Sequence, residues 1–355
     1  MLAFRRITSS GRFIPEIDGL RFVAIASVVL YHFNGFVISG GGAPPTGHVL
    51  QSAVDHGYRG VNLFYVISGF VLGLPFAAHA LRAGRPVALG SYFLRRLTRL
   101  EPPYLLSLAL CTAWLAWAQG EAWRSLFPHL GASALYLHNL WFAGISTINP
   151  VAWSLEVEVQ FYCLVPALAA LFRIRPAALR RAVMVGLIVA AGVAQLVYWD
   201  APFRLRYTIV YAVQFFLAGF VLADLYLAVW EERPRTGWGW DVLSLLCWPA
   251  IFLPADKQVW VALPLLTLAA YVSTFRGVVF RSLFRNGFVT AVGGMCYSIY
   301  LLHYVAIQPV LRVSTSIWLY LAVMLGLSSI FFLLIERPCM NREWPRRLMA
   351  RFRRS

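Results

Sequence analysis

Apolar residues along this 355-residue chain come in runs of about 20, separated by short polar stretches rich in arginine. A helix needs about 20 predominantly apolar residues to cross a hydrocarbon core, so the pattern predicts membrane-spanning helices. Ten are expected, over 17–38, 60–80, 102–118, 153–172, 182–199, 207–229, 239–254, 258–275, 288–309 and 315–335. The apolar stretch 130–142 is shorter and irregular, and is expected to be re-entrant or interfacial. Short alternating segments of the kind that build a β-barrel are absent. The predicted fold class is all-α, a polytopic membrane protein forming one unit over 1–355, with no internal repeat and no fused soluble domain.

Composition agrees with that pattern. Hydrophobic residues make up 60% of the chain and charged residues only 13%, with a mean hydropathy of +0.67. A soluble domain is less apolar and more charged. The net charge of +16 is carried almost wholly by arginine, because Lys257 is the single lysine. It is better explained by loop asymmetry than by nucleic acid. With the N-terminus inside, 24 Lys and Arg residues fall on the cytoplasmic side and six on the outer side. Cytoplasmic loops accumulate these residues, so the asymmetry predicts that both termini are cytoplasmic. The Arg-rich stretch 340–355 is expected to lie as a basic tail on anionic lipid. No cleavable signal peptide is expected, since the basic opening leads into a long helix without a small-residue cleavage pattern. The five cysteines are isolated from one another and show neither metal-ligand spacing nor a disulfide framework, so no metal is expected.

Against this apolar background the polar residues inside spans carry the information. Arg21 and His32 both fall in the first span, and ionisable groups in hydrocarbon are costly and usually face a bundle interior or a wet cavity. Eleven residues turn a helix through about 1100°, so the two side chains share a face, about 16 Å apart along the axis. Asp18 lies three residues before Arg21, within pairing distance on a helix.

Further along, Ser68-Gly69 sits in the middle of the second span, where glycine permits close approach of a helix or a ligand. Arg96 and Arg99 share a helical face before the third span. They suit either bidentate phosphate binding or anchoring at the cytoplasmic surface. Ser154, Glu158 and Tyr162 recur at every fourth residue and form one polar stripe, with Trp153 beside it and Glu156 elsewhere on the circumference. A buried ion pair is the plainer role for Glu158. Tyr300 and His303 are about one turn apart in the ninth span, where a lone histidine is often a hydrogen-bonded structural residue. Glu336 closes the tenth span and is placed to neutralise an arginine.

Taken together and in order, these pieces resemble the acyltransferase-3 family of bacterial membrane-bound acyltransferases. The resemblance rests on Asp18-Gly19-Leu20-Arg21 with ten residues before His32, Gly60-Val61 through Ser68-Gly69-Phe70, Arg95-Arg96 to Arg99, Trp153-Ser154-Leu155 to Glu158, and Tyr297-Ser298-Ile299-Tyr300-Leu301-Leu302-His303. It implies ten helices in the bacterial inner membrane and transfer of an acyl group, often acetyl, from a cytoplasmic acyl-CoA. The implied acceptor is a hydroxyl of a lipid-linked, envelope or exported glycan. Carried over by motif, His32, Arg21 and Glu158 are the candidate catalytic residues, and Arg96, Arg99 and Ser68 the candidates for binding the donor. Asp18, Trp153, Ser154, Tyr300 and His303 are candidates for binding substrate. The chain departs from the family pattern at Val159, where a second acidic residue commonly follows, and at Glu156, where a small residue is common.

Acyl transfer to a hydroxyl needs a base and a site for the developing oxyanion. Imidazole titrates near neutral pH, which makes His32 the natural base, and the spacing equally allows it to carry the acyl group itself. Arg21 cannot serve as one, and is expected to pair with Asp18 or to hold the donor. Glu158 is expected to relay protons to His32 or to bind a sugar hydroxyl. A different class fits the same residues, because a proton-coupled secondary transporter or flippase also holds buried Arg, His and Glu near the midplane. The absence of inverted repeats in the sequence argues against it.

Overall fold

The computed structural model describes Arg6, residues 13–43, residues 48–341 and Trp344. Most of the basic tail expected over 340–355 lies outside the described residues. Among those residues the protein is helical throughout, without a strand. The principal helices are α1 (Pro15–Ser39), α2 (Gly60–Arg82), α3 (Leu89–Ala118), α4 (Trp123–Ala134), α5 (Trp153–Leu168), α6 (Ala177–Val197), α7 (Val213–Asp224), α8 (Trp238–Ile251), α9 (Val259–Arg276), α10 (Gly287–Gly294), α11 (Cys296–Leu311) and α12 (Ile317–Phe331).

Among the described residues six helical stretches are long and apolar enough to cross a membrane: Pro15–Ser39, Gly57–Arg82, Pro150–Arg173, Ala177–Val197, Val259–Arg276 and Ile317–Cys339. A seventh arises if α10 and α11, bent by 69° at Met295, form one broken span. The protein is therefore a multi-pass membrane protein. The other three expected spans fall on helices that do not combine the length and the apolar character. Residues 102–118 belong to α3, a 30-residue helix whose first turns carry Arg95, Arg96 and Arg99. The stretch expected over 207–229 shortens to Val213–Val229, and α8 has 14 residues where 239–254 is expected. Large apolar side chains on the outside, such as Trp117, Trp318 and Leu334, give the bundle a surface suited to lipid.

Two buried apolar clusters meet along α1. Ile17, Leu20 and Ala24 belong to one, with the buried faces of α2, α6, α7 and α9. Ile25, Val29, Phe33 and Val37 belong to the other, with α3, α11 and α12. Helix α1 is thus the shared wall of two half-bundles. In the first half α2 and α7 cross at reciprocal glycines. A Cβ on Gly69 would lie 2.1 Å from the Phe216 carbonyl oxygen, and one on Gly219 would lie 2.2 Å from that of Val66. Gly69 therefore serves close helix packing.

Buried carboxylates fasten the broken and short helices. Glu156 accepts the backbone N–H groups of His138 (3.2 Å) and Asn139 (2.9 Å), tying the short helix His138–Phe142 to α5. Asp241 does the same for Val278, Val279 and Phe280. Glu336, expected to neutralise an arginine, lies within the field of Arg6 and Arg21 and also accepts the Ser298 N–H (3.0 Å) and hydroxyl (2.6 Å) at the start of α11. The bend at Met295 frees those amides, and a carboxylate is favourable at a helix N-terminus. Gly293 permits the bend, since a Cβ there would sit 1.8 Å from the Asp18 carbonyl oxygen of α1. Asp224 on α7 holds both Arg180 (2.5 Å) and Arg181 (2.6 Å) of α6.

Candidate active site

A cavity opens among α1, α2, α3, α5 and α11. Arg21 enters from α1 and Ser68 from α2, while Arg96 and Arg99 come from α3. Ser154, Glu158 and Tyr162 form a stripe on α5, and Cys296, Tyr297 and Tyr300 line α11. Each set shares a face because its spacing matches the helical period. The cavity therefore gathers eight of the residues singled out from sequence: Arg21, Ser68, Arg96, Arg99, Ser154, Glu158, Tyr162 and Tyr300. Arg6 also lines it.

The contacts define its chemistry. Arg21 pairs with Asp18 at 2.5 Å, as the three-residue spacing predicts, so Asp18 stands behind the arginine and outside the cavity wall. Glu158 accepts a hydrogen bond from the Ser68 hydroxyl at 2.6 Å, joining α5 to α2. The Arg96 guanidinium stands 5.7 Å from the ring of Tyr92 and 6.0 Å from that of Tyr162. Its Nε is buried without a hydrogen-bond partner among the described residues. A buried donor without a partner is costly, and an anionic ligand would satisfy it. The cavity closes at Tyr300, whose hydroxyl contacts the Ser154 hydroxyl (2.9 Å) and donates to the Val151 carbonyl.

His32 lies beyond that closure and does not line the cavity. Its partner is not Glu158 but His303: His32 Nδ1 and His303 Nε2 are 3.2 Å apart. His303 is fully buried. Its Nδ1 lies 2.8 Å from the Tyr300 carbonyl oxygen and 3.1 Å from that of Ile299. Carbonyl oxygens only accept, so Nδ1 of His303 carries a proton. Buried charges are ordinarily paired, and no carboxylate pairs with either ring among the described residues. A neutral His303 therefore accepts at Nε2, and His32 donates from Nδ1. The His32 ring also hydrogen-bonds to the backbone of Val28. With Nδ1 as the donor to both partners, Nε2 keeps its lone pair, which is the form a general base requires.

Trp153 stands apart from both groups. One residue from Ser154 is about 100° around the helix, and Trp153 packs edge-on against Tyr207 with centroids 5.0 Å apart. Sequence reasoning missed Tyr65, Tyr297 and Cys296 as cavity residues. Tyr297 and Cys296 share the α11 face with Tyr300, so helical phase points to them. No sequence signal marks Tyr65.

A family model described as "Acyltransferase domain" (Acyl_transf_3) matches residues 14–337. Among curated proteins, the peptidoglycan O-acetyltransferase OatA of Listeria monocytogenes is 26% identical over 173 residues, 46% of this chain and 25% of that protein. A protein of Komagataeibacter xylinus named "Putative membrane-bound transacylase BcsY" is 32% identical over 193 residues, 52% of this chain and 43% of that protein. The O-acetyltransferase OatA of Staphylococcus aureus (strain NCTC 8325) is 28% identical over 174 residues, covering 46% of this chain and 26% of its own length. The chain thus matches less than half the length of each of these relatives. No solved structure matches. With the family model covering residues 14–337, nearly the whole chain, the chain belongs to the acyltransferase-3 family.

Proposed function

We propose that this protein transfers an acyl group, acetyl in the simplest case, from a cytoplasmic acyl-CoA to a hydroxyl of an envelope or exported glycan. In this reading it lies in the bacterial inner membrane with ten spans and both termini cytoplasmic. The observation that carries it is the histidine pair, which leaves His32 Nε2 free to accept a proton next to an arginine-lined cavity. Arg96 and Arg99 hold the phosphates of the donor, in keeping with the unpartnered Arg96 Nε, and Arg21 is a third cation along the donor's path. Ser68 and Glu158 line the donor arm's channel. Ser154 and Tyr300 contact the acyl end where the cavity closes.

In the transfer step the acceptor hydroxyl gives its proton to His32 Nε2 as its oxygen attacks the thioester carbonyl carbon. The new C–O ester bond forms, the C–S bond breaks, and the departing thiolate takes the proton from the imidazolium to leave free CoA thiol. The Tyr300 hydroxyl contacts with Ser154 and Val151 hold the layer between cavity and histidine closed, and this layer parts for the acyl carbon to meet the acceptor. Relatives named as O-acetyltransferases and a transacylase support the reaction class. The test is purified protein in detergent with acetyl-CoA and an extract of envelope glycan. Acceptor-dependent release of free thiol is the expected result. Absence of thiol release, together with proton-coupled solute flux in proteoliposomes, would support a transporter instead.

A further inference from the structure

A second cavity lies on the far side of the histidine pair from the arginines. Three helices run from one cavity to the other. On α1 the sequence is Arg21, then His32, then Phe36; on α11 it is Tyr300, then His303, then Tyr304 and Gln308. Helix α3 supplies Arg96 and Arg99 to the first cavity and Trp114 to the second. The His32 ring is 5.4 Å from that of Tyr304, which is itself 5.2 Å from Phe36. Tyr304 therefore stands between the second cavity and His32, which lines neither cavity.

Its chemistry differs from that of the first. Every polar side chain lining it is neutral: Gln119, Thr147, Asn149 and Gln308, beside the aromatic rings of Trp114, Phe36 and Tyr304. Gln119 Nε2 donates to Gln308 Oε1 at 2.7 Å across the exposed mouth, and Asn149 Nδ2 donates to the Leu301 carbonyl at 3.2 Å. Amides both donate and accept, as hydroxyls do, and aromatic faces pack on apolar surface. One cation stands beside it, the Arg312 guanidinium, 5.6 Å from the centroid of the Trp114 ring. The lining itself, of amides, a hydroxyl and flat aromatic rings, suits a neutral polyhydroxyl ring.

We propose that this cavity is the acceptor subsite, taking a neutral sugar residue against Trp114 and Tyr304 with its hydroxyls on Gln119, Asn149 and Gln308. The inference rests on the acyl-transfer function proposed above. The proton and the acyl group move as described there, with the acceptor hydroxyl arriving from this side.

The test pairs two readouts on Trp114→Ala, Gln308→Ala and the space-filling Val305→Trp, Val305 also lining the cavity. One is base-labile acyl ester in the glycans of a deletion strain complemented with each variant. The other is the affinity of the purified full-length variant for acetyl-CoA, followed by thermal shift, which also reports folding. Ester content should fall about tenfold or more while acetyl-CoA affinity stays within about twofold of wild type, the equivalent of less than about 0.5 kcal/mol. Unchanged ester content would overturn the inference. So would loss of acetyl-CoA affinity in step with ester in all three variants, because the cavity would then not be separate from the donor site. A deletion strain that loses no ester overturns the acyl-transfer reading itself, a distinct result.

Discussion

The two cavities share α1, α3 and α11 as walls, yet one is lined by four arginines and a carboxylate and the other by amides and aromatic rings. The same helices change chemistry along their length, and the change falls at His32 and His303. A membrane protein that joins an anionic donor to a neutral acceptor needs two chambers of unlike electrostatics with the reacting group between them. Position along a helix axis, as well as position on a face, is therefore part of the functional code here.

Replacing the group at the boundary should have the largest effect. His32→Ala removes the proposed base, and turnover should fall by about 10²–10⁴, the usual contribution of general-base catalysis. Thiol release under saturating acetyl-CoA measures this. Turnover equal to wild type would remove His32 from the chemistry. Charge reversal in the first cavity comes next: Arg96→Glu or Arg99→Glu should raise the donor KM about 10- to 100-fold. A hydrogen bond to a charged group contributes about 1.5–3 kcal/mol, and kcat should change little. A donor KM that did not move would make these arginines surface anchors, the plainer role that the sequence also allowed.

The smallest effect is expected at His303, which positions His32 without touching the reacting atoms. His303→Leu removes one hydrogen bond to the His32 ring, worth about 0.5–1.5 kcal/mol. It should lower kcat about threefold to tenfold with the donor KM unchanged. His303→Gln, whose side-chain oxygen can accept from His32 Nδ1, should recover part of the loss. Equal kcat in the two variants would make His303 a packing residue only.

Much of this arrangement was legible in the sequence wherever helix geometry alone decides it. The Asp18–Arg21 pair follows from a three-residue spacing. The stripe Ser154, Glu158 and Tyr162 faces the cavity because four-residue steps keep one face, and Arg96 and Arg99 converge for the same reason. What the sequence could not show depends on contacts between distant segments. His32 and His303 are 271 residues apart, and nothing local says that His303, rather than Glu158, sets the tautomer of His32. The roles of Glu156 and Glu336 were hidden likewise, because the helix ends they cap exist only where the chain breaks at Leu137 and Met295. The expected span 288–309 reads as one apolar run, but Gly293 lets the chain fold against α1 and bend by 69°.

The division of labour along α1 is tested most directly by the acetyl-CoA affinity of His32→Ala, measured by calorimetry on the preparation used for turnover. If donor binding belongs to the arginine cavity and proton transfer to the histidine pair, affinity should stay within about twofold of wild type, less than about 0.5 kcal/mol, while turnover is lost. An affinity that falls together with turnover would contradict the account and place His32 in the donor site.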